Sequence, residues 1–201
     1  MNAPVITSVR SQIATIIREE IISGAMAPGS KINEYQLAKK FGVSRGPVRD
    51  ALLRLDKEGI VECKDNCGAS VANTLDDSSR KLYSSLRISI EEQVIRANIK
   101  TIRATEIKQL ADALTVIKQH YANQAFDDMT VSLIDFHRLI VGLEDTSDSI
   151  NVWHLIVMRM YMNFEPTSIN DEKLNQYELF IAGLKNKDLN QTLKALKNAI
   201  K

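Results

Sequence analysis

The chain has 201 residues, of which 44% are apolar and 25% are charged, a balance that excludes disorder along its whole length. Its 26 basic and 25 acidic side chains leave a net charge of +1, which disfavours an indiscriminate binder of polyanions. The 2 cysteines exclude a disulfide framework and a four-cysteine zinc site.

The N-terminal segment predicts a helix and no targeting signal. Apolar residues from Val9 to Ile21 recur at helical spacing, and Gly24 ends the pattern. Residues 1–7 lack the basic region and apolar core of a signal peptide, and no apolar run in the chain is long enough to span a membrane. We therefore expect a cytoplasmic protein without a membrane partner.

Two short helices are predicted next. Asn33 is typical of a helix N-cap and predicts a helix over residues 34–41, which a three-residue break follows. Ser44 predicts the cap of another helix, which tolerates Pro47 in its first turn and ends near Gly59. Two short runs, at 60–64 and 69–72, then flank a turn rich in Asn and Gly and predict a β-hairpin.

Beyond about residue 77 the periodicity is helical throughout. The predicted helices span residues 78–99, 105–121, 127–142, 149–163, 171–184 and 187–200. The sequence therefore predicts a mainly α fold: an N-terminal winged helix-turn-helix domain over residues 1–75, followed by an all-α helical bundle of six helices over residues 76–201.

The helix-turn-helix predicts a DNA-binding surface. The second helix of such a unit enters the major groove N-terminus first, and Arg45 and Arg49 lie one turn apart at that end. An arginine fork can bridge two acceptors of guanine or clamp a phosphate. The free N–H groups after Ser44 can meet a phosphate, and the hairpin would form the wing. The alternative is that both arginines are ordinary solvated residues of a helix surface.

The stretch from Ser23 to Val61 resembles the N-terminal domain of GntR-family bacterial transcriptional regulators. The helical second half resembles the FadR-type branch with a VanR-like six-helix effector domain. Tyr83, Arg87 and Glu91 match the opening helix of that domain, and residues 136–140 match its Phe-His helix. The resemblance implies a homodimer that binds a palindromic operator in double-stranded DNA under the control of a small-molecule effector.

The chain departs from the family pattern at three DNA-contacting positions. Tyr35 stands where a basic residue is usual, Gly46 where a small polar residue is usual, and Cys67 where arginine often precedes Gly68. Arg45 and Arg49 match directly, while Lys64 and the Gly68 backbone would partly replace the missing wing contact. The predicted DNA contacts are therefore Tyr35, Ser44, Arg45, Gly46, Pro47, Arg49, Lys64 and Gly68.

Many effector domains of this branch resemble metalloproteins with one Asp and three His ligands. The matching positions here hold Leu133, His137, Tyr177 and Ala199, so we expect neither a metal nor another cofactor. Whether His120 or His154 approaches His137 is left open by the sequence. A redox switch formed by Cys63 and Cys67 is disfavoured, because cytosolic cysteines are mostly reduced.

An effector without a metal needs another anchor, and Arg87 is suited to an organic acid. Two alternatives stay open, because a buried arginine either awaits a ligand carboxylate or pairs with Glu91 one turn later. Tyr83, His137 and Tyr177 are further candidates for the effector site. A bundle that had lost effector and metal binding would leave a constitutive dimeric DNA-binding or interaction protein. An enzyme is disfavoured, because the sequence contains no nucleophile elbow, phosphate loop, zinc-hydrolase helix or dinucleotide fingerprint.

Overall fold

The computed structural model describes residues 8–64, 68–144, 147–162 and 168–200. These residues form two compact units. The first unit comprises the described residues as far as Leu75, together with Tyr161 and Met162. The second comprises Asp76–Met160 and the described residues from 168 onward.

Three helices build the first unit: α1 (Val9–Ile22), α2 (Glu34–Phe41) and α3 (Arg45–Lys57). The predicted cap of α2 is confirmed, because the Asn33 side chain accepts hydrogen bonds from the backbone N–H groups of two first-turn residues. Ser44 takes the N-cap position of α3, yet within the described residues its hydroxyl makes no capping hydrogen bond.

The core of this unit lies between α1 and α3. Both helices carry apolar residues at spacings of three and four, so each buries one continuous stripe. The buried members are Ile13, Ile17 and Ile21 on α1, and Val48, Leu52 and Leu55 on α3. Arg18 adds a bidentate ion pair at the rim, donating from Nε and Nη2 to the two Glu58 oxygens at 2.7 Å each.

A small antiparallel sheet completes the unit, with strands β1 (Lys31–Ile32), β2 (Val61–Lys64) and β3 (Gly68–Val71) in the order β1-β3-β2. The predicted hairpin corresponds to β2 and β3, with Lys64 opposite Gly68. Strand β1 was not predicted, because two residues are too short to show strand alternation.

Six helices form the second unit, which includes α7 only as far as Met160. They are α4 (Asp77–Asn98), α5 (Ala104–Ala122), α6 (Phe126–Val141), α7 (Ser147–Tyr161), α8 (Asp171–Asn186) and α9 (Leu189–Ile200). Each bound lies within two residues of its predicted position, and the mainly α fold is confirmed. Over the ranges that the structure describes, no helix combines the length and apolar character needed to cross a bilayer.

Gly183 sets the close approach of α8 and α9. The two helices are antiparallel neighbours across a short turn, in which Lys187 adopts a left-handed conformation with φ of 57°. A Cβ added at Gly183 would lie 2.9 Å from the Thr192 backbone nitrogen and 2.5 Å from its hydroxyl oxygen. That hydroxyl already donates a hydrogen bond to the Asp188 carbonyl oxygen at 2.6 Å. Only a residue without a side chain fits at this contact.

Gly183→Ala is therefore expected to destabilise the protein by about 1–3 kcal/mol, although alanine favours helices, because the added methyl group meets backbone atoms that cannot move independently. Urea unfolding followed by circular dichroism measures the change. Gly46→Ala is the matched control: its Cβ would find no described atom within 4 Å, so the helix propensity of alanine should leave stability unchanged or raised. Equal effects of the two substitutions would contradict the close-contact argument.

Candidate nucleic-acid interface and a buried polar cluster

Arg45 and Arg49 occupy the solvent-facing side of the first turns of α3. Both are exposed, whereas Val48 and Ala51 on the same helix are buried in the core. The helix therefore directs its apolar stripe inward and presents both arginines on the opposite face. This is the placement that the sequence predicted for a recognition helix.

Arg45 has a partner within the first unit that the sequence analysis missed. Its Nη2 donates to the Glu34 Oε2 at 3.1 Å, with the Arg45 side chain 68% exposed and that of Glu34 21% exposed. Glu34 is the first residue of α2, so the ion pair bridges the two helices of the helix-turn-helix. The only signal in the sequence was an acidic residue directly after the Asn33 cap.

Three of the predicted DNA contacts line one surface depression of about 350 Å³: Tyr35, Arg45 and Gly68. Lys31 of β1 also lines it and was not predicted, because β1 itself was not. Tyr35 is 68% exposed, which leaves its ring available to a ligand. The depression thus joins the start of α2, the start of α3 and the wing.

The other predicted contacts are not among the residues that line this depression. Ser44 and Gly46 are exposed, and Pro47 is half-buried in the first turn of α3. Lys64 lies on the wing with its side chain 70% exposed, and its Nζ is 3.7 Å from a Glu62 carboxylate oxygen. The start of α2, the start of α3 and the wing therefore each expose predicted contact residues. Two of the basic residues, Arg45 and Lys64, have an acidic side chain beside them.

Cys63 on the wing is a poorly activated thiol. Burial, followed by the charges of Asp56 and Glu34, raises the pKa of the Cys63 thiol, while Arg49 opposes that shift. The thiolate is the reactive form, so a raised pKa reduces reactivity. Cys67, the other member of the redox pair considered above, lies outside the described residues.

The second unit contains a buried polar cluster of five residues on four helices: Arg87, Glu91, His137, Trp153 and Tyr177. The Glu91 carboxylate lies at its centre with no solvent exposure. Its Oε1 accepts from Arg87 Nε at 2.9 Å and from Trp153 Nε1 at 2.8 Å. Its Oε2 lies 2.7 Å from His137 Nδ1, and His137 Nε2 lies 3.0 Å from the Tyr177 hydroxyl.

Burial and the neighbouring charges shift the pKa values of Glu91 and His137. Burial favours the neutral carboxylic acid, but His137 and Arg87 outweigh it and lower the pKa of Glu91 to about 2. Burial, reinforced by Arg87 and opposed by Glu91, lowers the pKa of His137, which favours the neutral imidazole near pH 7. The consistent tautomer has Nδ1–H donating to Glu91 and Nε2 accepting from the Tyr177 hydroxyl.

The cluster brings together three of the four residues predicted for an effector site: Arg87, His137 and Tyr177. Tyr83, the fourth, is half-buried one turn before Arg87 on α4. Of the two alternatives for Arg87, the internal ion pair with Glu91 is the one observed. Trp153 was missed, because a lone tryptophan on an apolar helix face reads as ordinary core.

The donor set does not fit the metal that the family resemblance raised. Leu133 and Ala199 are buried and offer no donor atom, and both ring nitrogens of His137 are engaged within the cluster. Among the described residues, no three His, Cys, Asp or Glu side chains are grouped to hold an ion, and this includes His120 and His154.

Comparison with known sequences places a family model, bacterial regulatory proteins of the gntR family, on residues 9–71. The HTH-type transcriptional repressor RspR of Escherichia coli (strain K12) is 28% identical over 184 residues, covering 90% of this chain and 80% of that protein. A gluconate operon transcriptional repressor of Bacillus licheniformis is 29% identical, covering 92% and 79%. The HTH-type transcriptional regulator YdhC of Bacillus subtilis (strain 168) is 32% identical, covering 62% of this chain and 56% of that protein.

Solved structures share the fold over nearly the whole chain. McbR/YncC of E. coli superposes with a TM-score of 0.84 at 19% identity, covering 97% of this chain and 94% of that one. A GntR-type putative transcriptional regulator from Rhodococcus sp. RHA1 gives 0.79 at 21% identity, covering 96% and 94%. These two likenesses show that the chain shares the fold of both proteins.

Proposed function

We propose that this chain, a DNA-binding transcriptional regulator of the GntR family, binds a palindromic operator as a homodimer. In this proposal residues 1–75 contact DNA, and residues 76–201 hold two copies together and bind a small carboxylate effector. The role is regulatory and not enzymatic, and its location is the cytoplasm.

The exposed face of α3 is the observation that carries the proposal. Arg45 and Arg49 are presented at the helix end that enters a major groove, and each guanidinium can bridge guanine acceptors or a phosphate. The proposed DNA-contacting set is Tyr35, Ser44, Arg45, Gly46, Pro47, Arg49, Lys64 and Gly68, to which the surface depression adds Lys31.

Apolar residues exposed on the second unit support a dimer. On α4, Leu82 and Leu86 are 56% and 43% exposed one turn apart, and on α7, Val152 and Leu155 are 53% and 43% exposed. A second copy would remove such side chains from water. Two recognition helices related by a two-fold axis would then read half-sites about one turn of DNA apart.

The effector would bind at the buried polar cluster through Arg87, His137 and Tyr177, with Tyr83 at its edge. It would control DNA binding by favouring one arrangement of the winged domains over another. The second candidate function is a constitutive regulator whose bundle needs no effector. One observation favours it: Arg87 already forms an ion pair with Glu91.

Selection from random double-stranded DNA, followed by fluorescence anisotropy on the selected sequence over a salt series, tests the proposal. We expect enrichment of an inverted repeat, a steep salt dependence of the Kd, and two copies of the chain per site in analytical ultracentrifugation. Failure to enrich any sequence would overturn operator binding, and one copy per site would overturn the dimer.

Glu34→Gln is expected to raise affinity for non-specific DNA by about 3- to 10-fold, because it removes a negative charge beside the proposed DNA-contacting residues and leaves Arg45 only a neutral acceptor. Anisotropy on random-sequence DNA measures this gain. Glu20→Gln is the matched control, since it neutralises a carboxylate that is paired with Lys40 at the other end of α2. An equal gain in both variants would indicate net charge alone and contradict a specific role for Glu34.

A further inference from the structure

The Glu91 carboxylate is held in the way that proteins hold a bound organic acid. A guanidinium Nε–H and an indole N–H converge on Oε1, and an imidazole N–H meets Oε2. All three donors are buried, so each interaction is made away from competing water. Such a set of fixed, buried donors around one carboxylate defines a carboxylate-binding site.

The donors come from parts of the chain that are distant in sequence. Arg87 lies on α4 with Glu91 itself, His137 on α6 and Trp153 on α7, while Tyr177 on α8 holds His137 from behind. One carboxylate therefore ties α4 to two other helices directly and to a third through the imidazole. This is the structural effect expected of a ligand that organises a helical effector domain.

We propose that Glu91 is a built-in ligand of this carboxylate site, and that a small free carboxylate binds in its place when the Glu91 side chain is shortened or displaced. The ligand class is a monocarboxylate of acetate size. Glu91→Ala removes Cγ, Cδ and both carboxylate oxygens, which are the four heavy atoms of acetate. An effector acid that uses Arg87 must then compete with Glu91 for the same donors.

The proposal deepens the effector site of the proposed function and rests on it for its regulatory meaning. Its test measures stability alone, so the carboxylate site can succeed or fail independently of operator binding. A failed operator selection leaves the stability result unaffected, and a failed stability result leaves DNA binding unaffected.

The experiment follows the Tm of the full chain carrying Glu91→Ala in sodium acetate, against sodium chloride of equal ionic strength. We expect a saturable rise of about 5 °C at acetate well above its Kd, and a smaller rise with the bulkier butyrate. Wild type should not respond, because its site is filled. Glu92→Ala is the matched control, as it removes a neighbouring carboxylate that pairs with Lys197 outside the cluster.

A second variant and a refolding measurement complete the experiment. Glu91→Gln retains the side-chain volume, so acetate should not stabilise it. If Glu91→Ala does not fold in chloride, recovery of its helical circular dichroism by refolding in acetate replaces the Tm readout. The proposal is overturned if acetate raises the Tm of Glu91→Ala no more than that of wild type, if Glu91→Gln responds equally, or if an unfolded Glu91→Ala stays unfolded in acetate.

Discussion

Arg45→Ala and Arg49→Ala are each expected to weaken binding to the selected operator by about 10- to 100-fold, because a bidentate arginine contact to a base contributes about 1–3 kcal/mol of discrimination. Binding to unrelated DNA should fall much less. If either arginine instead contacts a phosphate, its loss lowers affinity for all sequences alike and reduces the salt slope by about one charge. Anisotropy titrations on operator and unrelated DNA at several salt concentrations separate the two roles.

Arg96→Ala is the control for this pair. It removes the same charge from an exposed helix position in the second unit, where Arg96 lies 4.0 Å from Glu92. It should leave operator affinity unchanged. Retention of wild-type affinity by both Arg45→Ala and Arg49→Ala would contradict the assignment of α3 as the recognition helix.

Arg87→Met is expected to destabilise the protein by about 3–5 kcal/mol, because it leaves the fully buried Glu91 carboxylate without its charge partner. The methionine keeps much of the apolar stem, so the loss reports the guanidinium and not a cavity. Urea unfolding at pH 7 measures it. Adding Glu91→Gln to Arg87→Met should recover part of the loss, since the orphaned charge is then removed.

Arg80→Ala provides the surface comparison on the same helix. Arg80 lies 2.6 Å from Asp77 in an exposed ion pair, and such pairs contribute about 0–1 kcal/mol. We therefore expect a small change. A loss below about 1 kcal/mol for Arg87→Met would show that Glu91 does not depend on this charge and would contradict the account of the cluster.

The second unit was predictable at the level of its helices, because apolar periodicity and polar breaks are local properties of the sequence. The same reasoning placed Arg45 and Arg49 on the outer face of α3. The pairing of Arg87 with Glu91 was foreseen as one of two alternatives, since residues four apart on a helix are neighbours.

Contacts between distant segments were not predictable in this way. Glu34 reaches Arg45 across a turn, and Trp153 reaches Glu91 over 62 positions of sequence. Neither contact leaves a periodic trace. The family resemblance indicated His137 and Tyr177 as site residues, yet only the folded chain shows that their polar atoms bond to one another and, through His137, to a carboxylate of the protein itself.

The two-residue strand β1 constrains how this protein can change in length over evolution. Lys31 pairs with Ser70 and Ile32 with Ala69, and α2 begins immediately after the next residue. One inserted residue in β1 would turn the buried Ile32 outward and rotate the start of α2 against the wing. Selection should therefore act against insertions and deletions at this point. The number of residues between β1 and α2 should stay constant in related proteins, while the side chains around this segment diverge.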